Sequence, residues 1–142
     1  MLKLPRGNFD RILAHAAAGL PNEACGLLAG VRDGDEKTVT KVYLLKNIDE
    51  SPEHFSMTPE EQFQAIADIR KQNLVLLGNF HSHPSSPARP SSEDIRLAFD
   101  PSLSYVIVSL MGGIPQMKSF LIENGAFQEE RIEVQSDAAG SV

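Results

Sequence analysis

The 142-residue sequence has a single cysteine, Cys25, and this scarcity excludes two classes of small domain. One cysteine forms no intrachain disulfide and builds no cysteine-rich zinc site, so the chain is neither a disulfide scaffold nor a zinc finger. Cys25 also lies in a run of small apolar residues, with no adjacent base that would activate its thiol. We therefore interpret Cys25 as a small core residue rather than as a nucleophile.

Positive charge is also scarce in this sequence. The 13 Lys and Arg residues are outnumbered by 19 Asp and Glu residues, the formal net charge is -6, and no basic cluster occurs. This balance argues against nucleic acid or an anionic membrane as the partner. The first residues lack the apolar core of a signal peptide, and no apolar run approaches the ~20 residues of a membrane span. We expect a cytoplasmic protein, and the sequence favours no particular oligomeric state.

The pattern of apolar residues predicts one domain at residues 1–134 and a flexible tail at 135–142. Periodicity and turn signals give the order α-β-β-α-β-α-β-β-β. The predicted helices cover about 8–19, 58–71 and a segment from 91, and the predicted strands cover 23–30, 38–45, 74–80, 105–111, 116–123 and 127–134. The last strand alternates apolar and charged residues, which is typical of an edge strand. The fold class is therefore α/β (α+β), with a mixed, largely antiparallel sheet flanked by helices.

Two histidines directly after the predicted strand 74–80 are the strongest functional signal. Residues i and i+2 of a strand point to the same face, so His81 and His83 present two imidazoles side by side. Asp94 follows eleven residues after His83 and can add a carboxylate from the next element. Two imidazoles and one carboxylate suit a divalent transition metal, and three protein ligands leave one tetrahedral position of zinc open for water. Such a water has its pKa lowered to about 7 and can attack a carbonyl.

Each of these residues also has a simpler interpretation. A His-x-His pair alone is a weak signal, and Ser91-x-x-Asp94 is equally a helix N-cap signature. The two interpretations are compatible, because a helix that begins at Ser91 places Asp94 in its first turn. The Ser91 hydroxyl stays unassigned, since capping the helix and stabilising an oxyanion compete for it. His15 has no acidic or cysteine partner in ligand spacing, and we interpret it as a surface or packed residue. His54 precedes the second predicted helix in a loop, and we interpret it as solvent-exposed, with contact to substrate as the alternative.

The spacing of these residues resembles a known motif. His81-x-His83-Pro84, six residues, then Ser91-x-x-Asp94 is similar to the JAMM motif of the MPN-domain metalloproteases. The segment 21–28, with Glu23 near its start, resembles the upstream strand of the short bacterial members, which carries a glutamate. The order of predicted elements agrees with that family over nearly the whole chain, from the first helix to about residue 134.

The resemblance implies a fold similar to that of the zinc deaminases, with one zinc ion bound by His81, His83 and Asp94. Glu23, which no pattern in the sequence itself singles out, would be the general base and proton shuttle. Ser91 would stabilise the tetrahedral intermediate. The reaction would be hydrolysis of a peptide or isopeptide bond after the C-terminal Gly-Gly of a ubiquitin-like protein. The short bacterial members imply a sulfur-carrier protein as the partner, with cysteine or a masking residue released from its C-terminus.

Two other functions are compatible with the same residues. Two histidines and a carboxylate also form the facial triad of non-haem Fe(II) oxygenases, although no cosubstrate site is indicated. Some MPN domains have lost their ligands and act as non-catalytic scaffolds, whereas all five site positions are filled here. A zinc deaminase is disfavoured because its paired cysteine ligands are absent.

Overall fold

The computed structural model describes residues 1–136, which form a curved eight-stranded sheet with helices packed on it. The elements in chain order are β1 (Leu2–Pro5), α1 (Arg6–Gly19), β2 (Cys25–Asp33), β3 (Glu36–Leu45), α2 (Pro59–Lys71), β4 (Val75–His83), α3 (Ser92–Leu97), β5 (Ser104–Ser109), a 3₁₀ turn (Met111–Gly113), β6 (Gln116–Glu123), β7 (Ala126–Glu130) and β8 (Ile132–Gln135). No helix in residues 1–136 is long and apolar enough to cross a membrane.

The strands lie in the order β7-β6-β5-β4-β2-β3-β1-β8. β4 is parallel to β5, and β1 is parallel to both β3 and β8, while the other neighbouring strands are antiparallel. Helix α1 packs on β1, β3 and β8, and helix α2 packs on β4. The predicted fold class, a mixed and largely antiparallel sheet flanked by helices, is confirmed.

The termini of the described chain differ from the prediction. Strand β1 was not predicted, because four residues that include a lysine and a proline are too short to show a period. The predicted last strand, 127–134, is two strands, β7 and β8, separated by Arg131. Gln135, predicted as the start of the tail, is the last residue of β8, and residues 137–142 of that tail lie outside the described residues.

The break at Arg131 explains how the sheet curves. β7 and β8 occupy opposite ends of the strand order, yet only one residue separates them in the chain. The two edges of the sheet must therefore meet at Arg131, whose carbonyl accepts a hydrogen bond from the Leu2 amide at 2.9 Å. Leu2 and Leu4 of β1 are fully buried against α1 and the sheet, so the first strand completes the core at this junction.

A buried polar network lies where the sheet edges meet. Lys37 Nζ donates to Ser104 Oγ at 2.7 Å, and the hydroxyls of Ser104 and Ser119 donate to Glu130 Oε1 at 2.6 and 2.8 Å. The Met1 ammonium lies 3.6 Å from Glu130 Oε2. Lys37 is 2% exposed and Glu130 is 7% exposed, so each charge depends on the network for compensation.

The strand that carries the two histidines lies in the middle of the sheet. β4 is hydrogen-bonded to β2 on one side and to β5 on the other, and Phe80, just before His81, is fully buried. Gly26 of β2 faces the ring of Phe80, and a side chain at that position would clash with the ring. The apolar core therefore holds the end of β4 rigidly in place.

We expect Glu130→Ala to lower the free energy of unfolding by about 2–3 kcal/mol, because it leaves the buried Lys37 ammonium without its anionic partner. Urea denaturation measures this change. Glu129→Ala is the matched control, since Glu129 is an exposed neighbour on the same strand whose nearest cation is 3.9 Å away. The control is expected to change stability by less than about 0.5 kcal/mol. Equal effects of the two substitutions would contradict a structural role for the network.

Candidate metal centre and groove

The two histidines close strand β4 and share one face of the sheet. His81 is 3% exposed and His83 is 4% exposed, so both imidazoles are nearly buried. Ser82, between them, points to the opposite side and accepts a hydrogen bond from the Ala24 amide at 2.7 Å. Its backbone amide donates to the Ala24 carbonyl at 2.9 Å. Ser82 thus joins the histidine strand to the segment that carries Glu23.

His81, His83 and Asp94 bring three donor atoms together. His81 Nε2 lies 3.1 Å from His83 Nε2, and Asp94 Oδ2 lies 3.1 and 3.2 Å from the two nitrogens. Donor atoms around a tetrahedral zinc ion with bonds of 2.0–2.1 Å are ~3.4 Å apart, so the triangle is close to the size that such an ion requires. The predicted ligands therefore converge, and their chemistry fits a divalent transition metal.

The contacts behind the two imidazoles orient their rings. His83 Nδ1 donates to the Pro87 carbonyl at 2.9 Å, which turns Nε2 of that ring toward the cluster; without a metal Nε2 donates to Asp94, and in the neutral ring its lone pair is available to a metal. The ring of His81 is stacked on Phe55, with centroids 4.8 Å apart and 22° between the planes. His81 Nδ1 is buried and has no hydrogen-bond partner within residues 1–136. One histidine is therefore oriented by a hydrogen bond and the other by an aromatic ring.

Asp94 is held by a capping box at the start of α3. Ser91 Oγ accepts a hydrogen bond from the Asp94 amide at 3.0 Å, and the Ser91 amide donates to Asp94 Oδ2 at 2.9 Å. The predicted N-cap role of Ser91 is confirmed. Capping uses one lone pair of the Ser91 oxygen, and the hydroxyl proton can still be donated to another acceptor. Capping and oxyanion stabilisation therefore need different parts of the same hydroxyl.

The electrostatics of the cluster favour a cation. Burial alone would raise the pKa of the Asp94 carboxyl, but the hydrogen bonds from His81 and His83 outweigh burial and hold that pKa well below its usual range. Burial alone would lower the pKa of His83, yet its bonds to Asp94 and to the Pro87 carbonyl raise that pKa. A carboxylate that stays ionised beside two imidazoles attracts positive charge to the space between them.

Glu23 lies beside the cluster, in the irregular segment just before β2. Its side chain is 6% exposed and lines the same cavity as His81 and Asp94. Burial raises the pKa of Glu23 to about 7, while the nearby charges of His83 and Asp94 act on it in opposite directions. A carboxyl with a pKa near neutrality can both accept and release a proton, which is what a general base and proton shuttle must do.

The cluster and Glu23 open into a groove of about 580 Å³. Its other walls are largely apolar and come from β2, β4, β5, α3 and the segments around them; among them are Leu27, Met57, Leu76, Leu97, Phe99 and Ile107. Phe99 is 90% exposed and Leu97 is 56% exposed at the surface of this groove. Apolar side chains left in contact with water beside polar reactive groups are typical of a site that binds an extended substrate.

The loop 46–57 contributes site residues that the sequence did not indicate. Phe55 stacks on His81, and His54 Nδ1 lies 3.1 Å from a carboxylate oxygen of Glu93 on α3. His54 is about half exposed, as predicted, but it also lines the groove. Asn47, at the start of the loop, is nearly buried and hydrogen-bonded to the backbone of Glu23. A polar loop without periodicity carries no signal for such contacts, because they depend on distant elements.

His15 and Cys25, the other residues considered for a functional role, are packed in the structure. His15 Nε2 lies 3.1 and 3.0 Å from the carbonyls of Cys25 and Leu45, so it ties α1 to the ends of β2 and β3. Cys25 is fully buried, and burial raises the pKa of its thiol to about 12. Its assignment as a core residue rather than a nucleophile is confirmed.

Comparison with known protein families and with known proteins shows the family of this chain. A family model described as prokaryotic homologs of the JAB domain matches residues 5–123. The chain belongs to this family. It is 32% identical over 126 residues to the CysO-cysteine peptidase of Mycobacterium tuberculosis, an alignment that covers 88% of this chain and 85% of the relative. The family match confirms the resemblance noted in the sequence, and the chain is an enzyme of the hydrolase class.

Solved structures extend the same comparison to the fold. The solution structure of a protein from Desulfitobacterium hafniense has a TM-score of 0.87 and 57% identity, covering 96% of this chain and 94% of that chain. A JAB1/MPN domain protein from Archaeoglobus fulgidus has a TM-score of 0.58 and 26% identity, covering 93% of this chain and 97% of that chain. The predicted MPN fold is therefore confirmed.

We expect the chelator-treated protein to bind one equivalent of cobalt(II) or zinc, with both histidines and Asp94 contributing ligands. His81→Ala and Asp94→Ala are expected to weaken binding by about 100-fold or more, because each removes one of three protein ligands. Cobalt absorption and isothermal titration calorimetry measure the affinity. His15→Ala is the control, since His15 contacts carbonyls outside the cluster. A loss in His15→Ala equal to that in His81→Ala would contradict the ligand assignment.

Proposed function

We propose that this protein is a zinc-dependent peptidase that cleaves the bond after the C-terminal Gly-Gly of a ubiquitin-like sulfur-carrier protein. One observation carries the proposal: a buried carboxyl with a pKa of about 7 lies beside three converging donor atoms of the kind that bind metals, in the wall of an apolar groove. The proposed location is cytoplasmic, and the proposed functional unit is a single domain that ends with β8.

His81, His83 and Asp94 are the proposed zinc ligands. Bound zinc supplies Lewis acidity, which lowers the pKa of a water molecule to about 7 and polarises the substrate carbonyl. Three protein donors of this kind are the number found at catalytic zinc, whereas structural zinc has four. The Pro87 carbonyl and the Phe55 ring keep the two imidazoles in the orientation that the ion requires.

Glu23 is the proposed general base. It would take the proton of the attacking water and pass it to the leaving amine, so that one carboxyl serves both halves of the reaction. Its near-complete burial favours this role, because burial holds the pKa close to neutrality instead of near 4.5. A solvated strand end, the simpler interpretation of this glutamate in the sequence, would be exposed.

Ser91 is the proposed donor to the oxyanion of the tetrahedral intermediate. Its capping bond with the Asp94 amide uses the oxygen as an acceptor, so the hydroxyl proton is the part available to substrate. The same capping bond holds the hydroxyl at the start of α3, next to the proposed ligand Asp94. Helix capping would therefore fix the position of the donor rather than compete with its use.

Two observations support the proposed substrate: the shape and lining of the groove, and the name of a relative. An extended, flexible tail ending in two glycines has no side chains near the scissile bond, so its backbone can approach buried ligands closely. The apolar walls of the groove would accept apolar side chains on the substrate segment that precedes the glycines. The Mycobacterium tuberculosis relative is named a CysO-cysteine peptidase, which supports release of a single amino acid from a carrier protein. An isopeptide conjugate of the same carrier is the second candidate substrate.

We expect the zinc-loaded protein to cleave a sulfur-carrier protein extended beyond Gly-Gly by a cysteine, with the cut directly after Gly-Gly. Mass spectrometry of the products identifies the bond.

Glu23→Gln is expected to retain zinc while lowering kcat by about 100-fold or more, since it removes the proton acceptor. Full activity of Glu23→Gln would exclude Glu23 as the base. A wild-type protein that binds zinc and cleaves neither a cysteinylated nor a conjugated carrier would favour a scaffold function.

The same assay separates the metals and tests Ser91. Activity restored by zinc and not by Fe(II) with oxygen is expected, and the reverse result would favour an oxygenase.

Ser91→Ala is expected to lower kcat by about 100-fold, the usual cost of one oxyanion donor, while zinc content is retained. Ser92→Ala is the matched control, because Ser92 is the exposed first residue of α3 beyond the cap. Equal rates for Ser91→Ala and wild type would limit Ser91 to capping.

A further inference from the structure

Glu23 is held in place by a loop rather than by the sheet. It precedes the first residue of β2, Cys25, and so lies outside the strand ladder that pairs β2 with β3 and β4. Its amide donates to the Ser51 carbonyl at 2.8 Å, and its carbonyl accepts a hydrogen bond from Asn47 Nδ2 at 2.9 Å. Both backbone groups of the proposed base are therefore bonded to the loop 46–57.

Asn47 is the hub of that loop. Its Nδ2 donates to the carbonyls of Glu23 and His54, both at 2.9 Å, and its Oδ1 accepts from the amides of Asp49 and Ser56 at 3.0 and 3.1 Å. These four bonds use both protons of the amide group and both lone pairs of its oxygen. Asn47 is 9% exposed, so water cannot readily replace any of them.

We propose that Asn47 is a positioning residue that sets the location of the Glu23 carboxyl relative to the metal cluster. The proposal rests on the proposed function, in which Glu23 is the general base. Asn47 bonds the carbonyl of Glu23 directly, and through the His54 carbonyl it holds the loop whose Ser51 carbonyl accepts the bond from the Glu23 amide. A proton acceptor displaced by about 1 Å can slow a reaction by ~100-fold, so this contact has a kinetic consequence.

The donor–acceptor pattern requires an asparagine. Aspartate has the same shape but has no protons to donate, so its carboxylate would face the carbonyl oxygens of Glu23 and His54. Alanine would leave those two carbonyls and the amides of Asp49 and Ser56 without their partner. Asn47→Asp and Asn47→Ala therefore both release Glu23, the first by repulsion at nearly constant volume and the second by deletion.

A double-mutant cycle distinguishes positioning from general stabilisation. With the zinc-loaded protein, Asn47→Asp and Asn47→Ala are expected to lower kcat by about 10- to 100-fold, with KM and zinc content unchanged. In a Glu23→Gln background, where the base is absent, Asn47→Ala is expected to cause no further loss of kcat. An equal loss in both backgrounds would overturn the proposal, as would an effect on KM alone or an unchanged kcat.

Thr58→Ala is the matched control for these variants. Thr58 directly follows the loop 46–57 and caps α2: its Oγ1 accepts a bond from the Glu61 amide at 3.0 Å. It does not line the groove. Its loss is expected to destabilise the protein by about 1 kcal/mol and to leave kcat unchanged. A fall in kcat equal to that of Asn47→Ala would show that any loosening of the loop is sufficient, and would overturn a specific role for Asn47.

Hydrogen exchange tests the same contact without metal or substrate. In the chelator-treated protein, the Glu23 amide is expected to exchange at least about 10-fold faster in Asn47→Asp than in wild type, because its bond to Ser51 depends on the loop. The amide of Leu28, a fully buried residue of β2, reports global stability, and its acceleration is expected to be smaller than that of the Glu23 amide. Equal acceleration at both amides, or at neither, would overturn the proposal. An inactive wild type would count against the proposed function only, because the exchange comparison does not require activity.

Discussion

One carboxylate oxygen, Oδ2 of Asp94, connects the fold to the candidate metal centre. It accepts a hydrogen bond from the Ser91 amide and lies within 3.2 Å of both His81 Nε2 and His83 Nε2. The capping box at the start of α3 and the last residues of β4 therefore meet at a single atom. Because β4 is central in the sheet and buried on both sides, the histidines cannot shift to accommodate a misplaced carboxylate. The start of α3 must adapt to them, and capping supplies the required geometry.

A second constraint acts on Glu23, which the sheet does not hold. Its burial gives it a pKa suited to proton transfer, but burial of an ionisable side chain at the end of a loop requires a rigid frame. That frame is the loop 46–57: the Ser51 carbonyl accepts a bond from the Glu23 amide, Asn47 donates to the Glu23 carbonyl, and the Phe55 ring stacks on His81. The proposed metal ligands are thus positioned by regular secondary structure, whereas the proposed base is positioned by irregular backbone and by the Asn47 side chain, whose amide group has all its hydrogen bonds formed.

Much of the architecture could be predicted from local patterns. The start of helix α2 at Pro59, after the Thr58 cap, could be predicted, and so could the end of β4 at the two histidines. Both depend on local signals, namely a capping residue and an apolar run. The two errors concern the edge strands β7 and β8 and the strand β1 next to β8. Strand β1 pairs with β3 and β8, which are distant in the sequence, and the break between β7 and β8 at Arg131 follows from closure of the sheet. β1, β7 and β8 have only four or five residues each, which is too short for the sequence to show a period of hydrophobicity.

The sequence by itself determined the candidate ligand set, since a strand places residues i and i+2 on one face and a capped helix places its third residue in the first turn. It also determined the family, through the spacing of His81, His83, Ser91 and Asp94. Only the tertiary structure decided the environment of Glu23, because burial and pKa depend on residues that are distant in the chain. The same holds for Asn47 and Phe55, whose contacts with Glu23 and His81 exist only once the loop packs against the ends of β2 and β4.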